Sequence, residues 1–182
     1  MKEKGNSEGD DYMFKVGDNI FYPLHGAGTI ESIEEKNILG ENKKYYVMKM
    51  PIGDVKVMVP TANAETVGLR DIVDNKAVKK VYKVFENYDA DEDKISWSKR
   101  YRDNMERMKS GDILDMAEVV RSLSFKQKEK GLSTGEKKML NQAREILVSE
   151  LVFANNKDKE TIEELIDNKL QAAFDKKLEG LI

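Results

Sequence analysis

Near Asp71 the hydrophobic pattern of this chain changes period. Before it, apolar and polar positions alternate, as where Val55, Val57 and Val59 enclose Lys56 and Met58. After it, apolar residues recur at three and four positions, beginning with Val78, Val81, Tyr82 and Phe85. Alternation hides one face of a strand, and the longer period hides one stripe of a helix. Strands followed by helices, not interleaved with them, specify an α+β chain rather than a wound α/β sheet.

Short strands are expected at Asn19–Tyr22, Thr29–Ile33, Lys44–Met50, Val55–Val59 and Thr66–Leu69. Turns are expected at His25-Gly26-Ala27-Gly28 and Pro51-Ile52-Gly53-Asp54. Five short strands in about 60 residues specify a small Tudor- or SH3-like barrel over 13–72. Such a barrel is marginal alone and needs a neighbour. The neighbour is expected over 73–182, as a bundle of about five helices with short loops. The first stripe is followed by Trp97, Tyr101, Met105 and Met108, and then by Ile113, Met116, Ala117, Val120 and Leu123. Leu140, Ala143, Leu147 and Leu151 mark the fourth, and Ile162, Leu165, Ile166, Leu170 and Ala173 the fifth. Asp89–Asp93 reads as an acidic linker. Residues 1–12 are polar and aperiodic and read as a loose extension.

Composition narrows the chemistry. There is no Cys and one His. Disulfides, thiolate zinc sites and thiol nucleophiles are therefore excluded, and His25 has no evident catalytic partner. No cofactor or metal is expected, and an enzyme is disfavoured. No signal-peptide pattern opens the chain, and no apolar run approaches the ~18–20 residues of a membrane span, so a cytoplasmic protein is expected. The net charge of -3 argues against a generic nucleic-acid binder. Residues 94–138, however, hold twelve Lys and Arg against seven Asp and Glu, a local +5.

Three stretches invite a site. Gly131-Leu132-Ser133-Thr134-Gly135-Glu136-Lys137-Lys138 lacks the spacing of a phosphate loop. Ser133 and Glu136 instead fit a capping box that opens a helix, with two lysines in its first turn. Tyr22, Tyr45 and Tyr46 hint at an aromatic cage, but Tyr45 and Tyr46 are consecutive in a strand and point apart. The third stretch holds the only tryptophan, Trp97, just after Ser96 and beside Lys99, Arg100 and Arg102. Its place on an apolar stripe makes it core. Its place in a basic first turn makes it an exposed ring suited to stacking on or wedging between bases. Both readings stand on periodicity alone.

Phe14-Lys15-Val16-Gly17-Asp18, Tyr22-Pro23 and His25-Gly26-Ala27 resemble the opening of the CarD/CdnL family of bacterial transcription regulators. The likeness continues through Val59-Pro60, Asn63-Ala64-Glu65 and Val67-Gly68-Leu69-Arg70-Asp71. Trp97-Ser98-Lys99-Arg100-Tyr101, Ser110-Gly111-Asp112, Ala117-Glu118-Val119-Val120-Arg121, Gly131-Leu132-Ser133 and Gly135-Glu136-Lys137 extend it, with Ala143-Arg144 and Ile146-Leu147-Val148. It spans roughly 13–175, and its specificity lies in the order of the motifs.

The resemblance implies a Tudor-like domain that binds the RNA polymerase β subunit. It also implies a helical domain that contacts promoter DNA at the upstream edge of the transcription bubble without reading sequence. Trp97 takes the wedge position that stabilises the open complex. Lys99, Arg100, Arg102 and Lys137 become phosphate contacts, with Lys138 added from charge and position. The polymerase face maps to the strand edge Lys36-Asn37-Ile38 and to Met58 on the neighbouring strand. Some relatives carry arginine at the positions of Lys36 and Met58, so the β-subunit contact is expected to be weaker or to use other pairs. A monomer is expected, with a domain-swapped dimer as its alternative. The competing reading is a Tudor-like protein-interaction module with a helical docking domain and no DNA role.

Overall fold

The computed structural model describes residues 12–51, 55–87 and 95–180. The expected extension before Tyr12, most of the turn after Pro51 and the acidic linker lie outside them. The described chain is an antiparallel five-stranded sheet followed by five helices, as the change of period requires.

The strands are β1 (Asn19–Tyr22), β2 (Gly26–Ile38), β3 (Glu41–Lys49), β4 (Lys56–Pro60) and β5 (Arg70–Asp71), ordered β4-β3-β2-β1-β5. Two expectations are corrected. The segment at His25 is tighter than expected: Pro23 and Leu24 make the turn, Tyr22 pairs with Gly26, and β2 begins there. The closing strand is Arg70–Asp71 rather than Thr66–Leu69, because a 3-10 turn at Thr61–Asn63 and the hydrogen-bonded turns that follow it bury Ala64 and Leu69 instead. One apolar cluster, built on Phe14, Ile20, Ile30, Tyr46, Met48 and Val59, fills the sheet's interior. Tyr46 is wholly buried and its hydroxyl accepts the Phe14 N–H, so it is core and not part of a cage.

The helices are α1 (Asn75–Glu86), α2 (Trp97–Ser110), α3 (Ile113–Glu129), α4 (Thr134–Asn155) and α5 (Lys159–Leu178). Asp74, Asp112, Ser133 and Asp158 cap α1, α3, α4 and α5 with side-chain bonds to first-turn N–H groups. α3 is buried on every side from Val119 to Phe125, which makes it the bundle's central helix.

Sheet and bundle are joined by specific contacts. Phe21 and Ala27 belong to the helical cluster, not to the sheet's own. The Ala27 N–H donates to Ser149 Oγ at 2.9 Å. Gly26 has φ +96°, and a Cβ there would stand 2.5 Å from that oxygen, so only glycine admits α4 this closely. Arg70 completes the junction. Its guanidinium lies 4.1 Å from the Phe21 ring centroid and forks onto Glu150 of α4 at 2.6 and 3.0 Å. It also donates to the Gly111 carbonyl at the end of α2.

Candidate functional site

Apolar spacing alone places Trp97, Tyr101, Met105 and Met108 on the inward stripe of α2, against the competing reading of Trp97 as an exposed ring. The helix's inward line is instead Arg100, Asn104 and Met108, three positions four apart. Tyr101 and Met105 are half-buried on the flank, and Trp97 stands 52% exposed at the tip. The frame rotates because Arg100 finds a buried partner. Its Nε and Nη2 donate to Glu136 Oε1 at 3.1 and 2.8 Å, and its Nη1 donates to the Ile95 carbonyl at 3.1 Å. Arg100 is only 8% exposed. The expectation that it faces solvent with Lys99 and Arg102 is therefore corrected.

The N-termini of α2 and α4 meet at this point. The Trp97 indole stacks on Tyr101, with centroids 5.6 Å apart and planes 29° apart. Its Nε1–H donates to Ser133 Oγ at 3.3 Å. Ser133 and Glu136 form the expected capping box: the hydroxyl accepts the Glu136 N–H, and the Glu136 carboxylate accepts the Ser133 N–H. Burial alone would raise the Glu136 carboxyl. The bonds from Arg100 and Ser133, with the Arg100 charge, outweigh it and hold the group below the usual carboxylate range.

Lys99 and Arg102 on α2 and Lys137 and Lys138 on α4 are exposed. Ser96 occupies the N-cap position of α2 but makes no side-chain capping bond, unlike the caps of the other four helices. Two helix N-termini that meet beside a half-exposed ring, with four exposed cations on the same two helices, favour anionic groups beside a flat aromatic surface. The role of Ser133 and Glu136 as Trp97's neighbours was not legible. Their capping signature is local, whereas the contact closes 36 residues of chain.

The second candidate surface is on the sheet. β1 pairs only with Gly26–Thr29 of β2, so the outer part of β2 has one edge without a partner strand among the described residues. The register sets Ser32 opposite Val47 and Val47 opposite Met58. Lys36 and Ile38 follow Ser32 at even spacing with no further register shift, so both share Met58's face. β3 lies between them and Met58, however, so β4 is not the immediate neighbour of Lys36-Asn37-Ile38 that was expected. Lys36 pairs with Glu34 at 3.4 Å, and Ile38 and Met58 are exposed. Asn37 lies on the opposite face, where its Oδ1 accepts the Gly40 N–H and its Nδ2 donates to Asn42. It fastens the hairpin. At the tip, Leu39 is fully exposed with φ +55°, a turn position that usually holds Asn or Gly. Sequence reasoning missed it.

Among the described residues no group of acidic, His or Cys side chains is arranged to hold a metal ion, and no helix is long and apolar enough to cross a membrane.

Comparison with known proteins finds two family models along the chain. Residues 14–73 match the CarD-like/TRCF RID domain, and residues 80–167 match the CarD C-terminal domain. A Bacillus subtilis (strain 168) protein, the candidate transcription factor YdeB, is 45% identical over 139 residues, covering 76% of this chain and 90% of that one.

Proposed function

This chain belongs to the CarD family of RNA polymerase-binding transcription regulators, a family of transcription factors and not of enzymes, and on that premise we propose that it bridges the polymerase β subunit and promoter DNA. The N-terminal sheet takes the β subunit along the outer edge of β2, with Lys36 and Ile38 in contact, Asn37 holding the hairpin, and Met58 on the same face. An unpaired strand edge offers N–H and C=O groups to a partner strand, and the flanking side chains set specificity.

The helical part contacts DNA at the upstream edge of the bubble. Trp97 wedges at the junction, while Lys99, Arg102, Lys137 and Lys138 contact phosphates. Arg100 drops out of that set, since its guanidinium is committed to Glu136 and Ile95. The observation that carries this reading is the half-exposed indole at two converging helix N-termini. A ring that only filled a core would not be half solvated. The overall negative charge is no obstacle. A domain tethered to polymerase works at a high effective concentration and needs little DNA affinity of its own.

Footprinting a polymerase–promoter complex with and without the protein tests this. Added protection is expected at the upstream edge of the bubble, weakening with salt and insensitive to base sequence. Lys137→Ala should lower the salt slope by about 1. An unchanged footprint, or a contribution independent of salt, would reject the DNA role and leave a protein-interaction module.

A further inference from the structure

We propose that Ser133, Glu136 and Arg100 are positioning residues that fix the plane of the Trp97 ring, an inference that rests on the wedge reading of Trp97.

An indole more than half exposed at a helix tip ordinarily moves among rotamers on the picosecond to nanosecond scale. This one is constrained on a face and on an edge. Tyr101 covers the face, and Ser133 Oγ holds the Nε1–H. The serine hydroxyl has one proton and two lone pairs, and all three are used. It donates to Glu136 Oε2 at 2.9 Å and accepts the Glu136 N–H at 3.2 Å and the indole N–H at 3.3 Å. The carboxylate therefore decides which way the hydroxyl points. By claiming its proton, Glu136 turns the remaining lone pair toward the ring.

Glu136 is held in turn. Arg100 grips its other oxygen, and the same guanidinium reaches the Ile95 carbonyl, two residues before Trp97. The hydrogen bonds close a circuit that begins and ends at the start of α2. A capping box needs only a side chain at the surface of a first turn. Here Glu136 is 2% exposed and paired with an arginine 8% exposed. A buried ion pair is a poor source of net stability, and its best-attested use is to impose one geometry. The geometry imposed here is that of the exposed ring.

A ring fixed before binding does not have to be ordered during it. Ordering one such side chain weakens binding by about 2- to 12-fold. That is the share of open-complex stabilisation the circuit secures.

Trp97 is the sole tryptophan, so fluorescence of the full-length protein excited at the red edge, where the tyrosines do not absorb, reports on this ring alone. Acrylamide quenching and anisotropy decay are measured for Ser133→Ala, Glu136→Gln and Ser133→Thr, which keeps the hydroxyl and the cap. Thermal melts fix a temperature at which every variant is folded. The lifetime of polymerase–promoter open complexes is then measured with each variant and with Trp97→Ala. Ser133→Ala and Glu136→Gln are expected to show stronger quenching, faster anisotropy decay and an open-complex lifetime shortened about 2- to 12-fold, with Ser133→Thr restoring all three. Wild-type quenching and anisotropy in both variants would overturn the inference. A freed ring with a wild-type lifetime would overturn it too, provided Trp97→Ala loses the effect. If Trp97→Ala itself keeps the wild-type lifetime, the wedge reading falls and takes the inference with it.

Discussion

Replacing Arg70 by methionine removes the junction between sheet and bundle while keeping most of the side chain's length. Glu150 is 1% exposed, and its carboxylate accepts two bonds from Arg70 and one, at 3.1 Å, from the Val73 N–H. In the variant a buried carboxylate keeps a single donor, and the Gly111 carbonyl loses its guanidinium. Breaking a buried pair from one side costs about 3–5 kcal/mol. The Arg70 side chain is 30% exposed, so water recovers part of this, and about 2–4 kcal/mol is expected. At 2–4 °C per kcal/mol for a chain of this length, a 3 kcal/mol loss lowers Tm by about 6–12 °C. Glu150→Gln should cost about 1–3 kcal/mol. Urea unfolding of both single variants and the double variant gives the coupling, expected at about 1–3 kcal/mol. An Arg70→Met variant within about 0.5 kcal/mol of wild type, or single losses that simply add, would refute this account of the junction.

Gly26→Ala and Gly40→Ala should separate close approach from backbone strain. Both glycines have positive φ, but an added Cβ strikes Ser149 Oγ only at Gly26 and meets nothing at Gly40. Denaturant midpoints should give a loss of about 1 kcal/mol at Gly40 and clearly more at Gly26. Stability should also respond to acid through Glu136, whose folded-state carboxyl sits below its ordinary value. A depressed carboxyl contributes stability above its unfolded pKa and loses it as pH falls through the folded one. The deficit of Glu136→Gln relative to wild type, about 2 kcal/mol, should therefore be constant from about pH 8 to 5.5 and shrink below about pH 4. Unfolding curves at several pH values would contradict this if the deficit grew in acid.

Much of the fold was legible because its signals are local. The change of period near Asp71 separates strands from helices within a few residues. The Ser133–Glu136 box announces α4 from four consecutive positions. The buried stripes of α1, α3, α4 and α5 fall where apolar spacing puts them. α2 does not, because its inward residue Arg100 is polar and its reason for turning inward lies 36 positions away. The outer half of β2 escapes the residue pattern for a related reason, and only the family resemblance places a strand edge at Lys36-Asn37-Ile38. Glu34 lies at the end of β4's pairing, and Glu35 and Lys36 lie beyond it on a two-stranded ribbon; all three are exposed, so no alternation marks them as strand. The exposed cations of the candidate site could be read from charge density. That Arg100 leaves them to hold Glu136 could not.

The lifetime of polymerase–promoter open complexes after a competitor challenge, with wild type and Trp97→Ala compared, tests the central claim most directly. The ring's lost contacts in the free protein are one stack and one long hydrogen bond, so the variant should melt within about 3–6 °C of wild type and still capture the β subunit. If base stacking contributes about 1–3 kcal/mol, wild type should lengthen the lifetime by at most about 5- to 150-fold, and Trp97→Ala should lose most of that gain. A variant that melts much lower, yet whose folded fraction lengthens the lifetime as wild type does, would mean that Trp97 serves the fold and not the DNA.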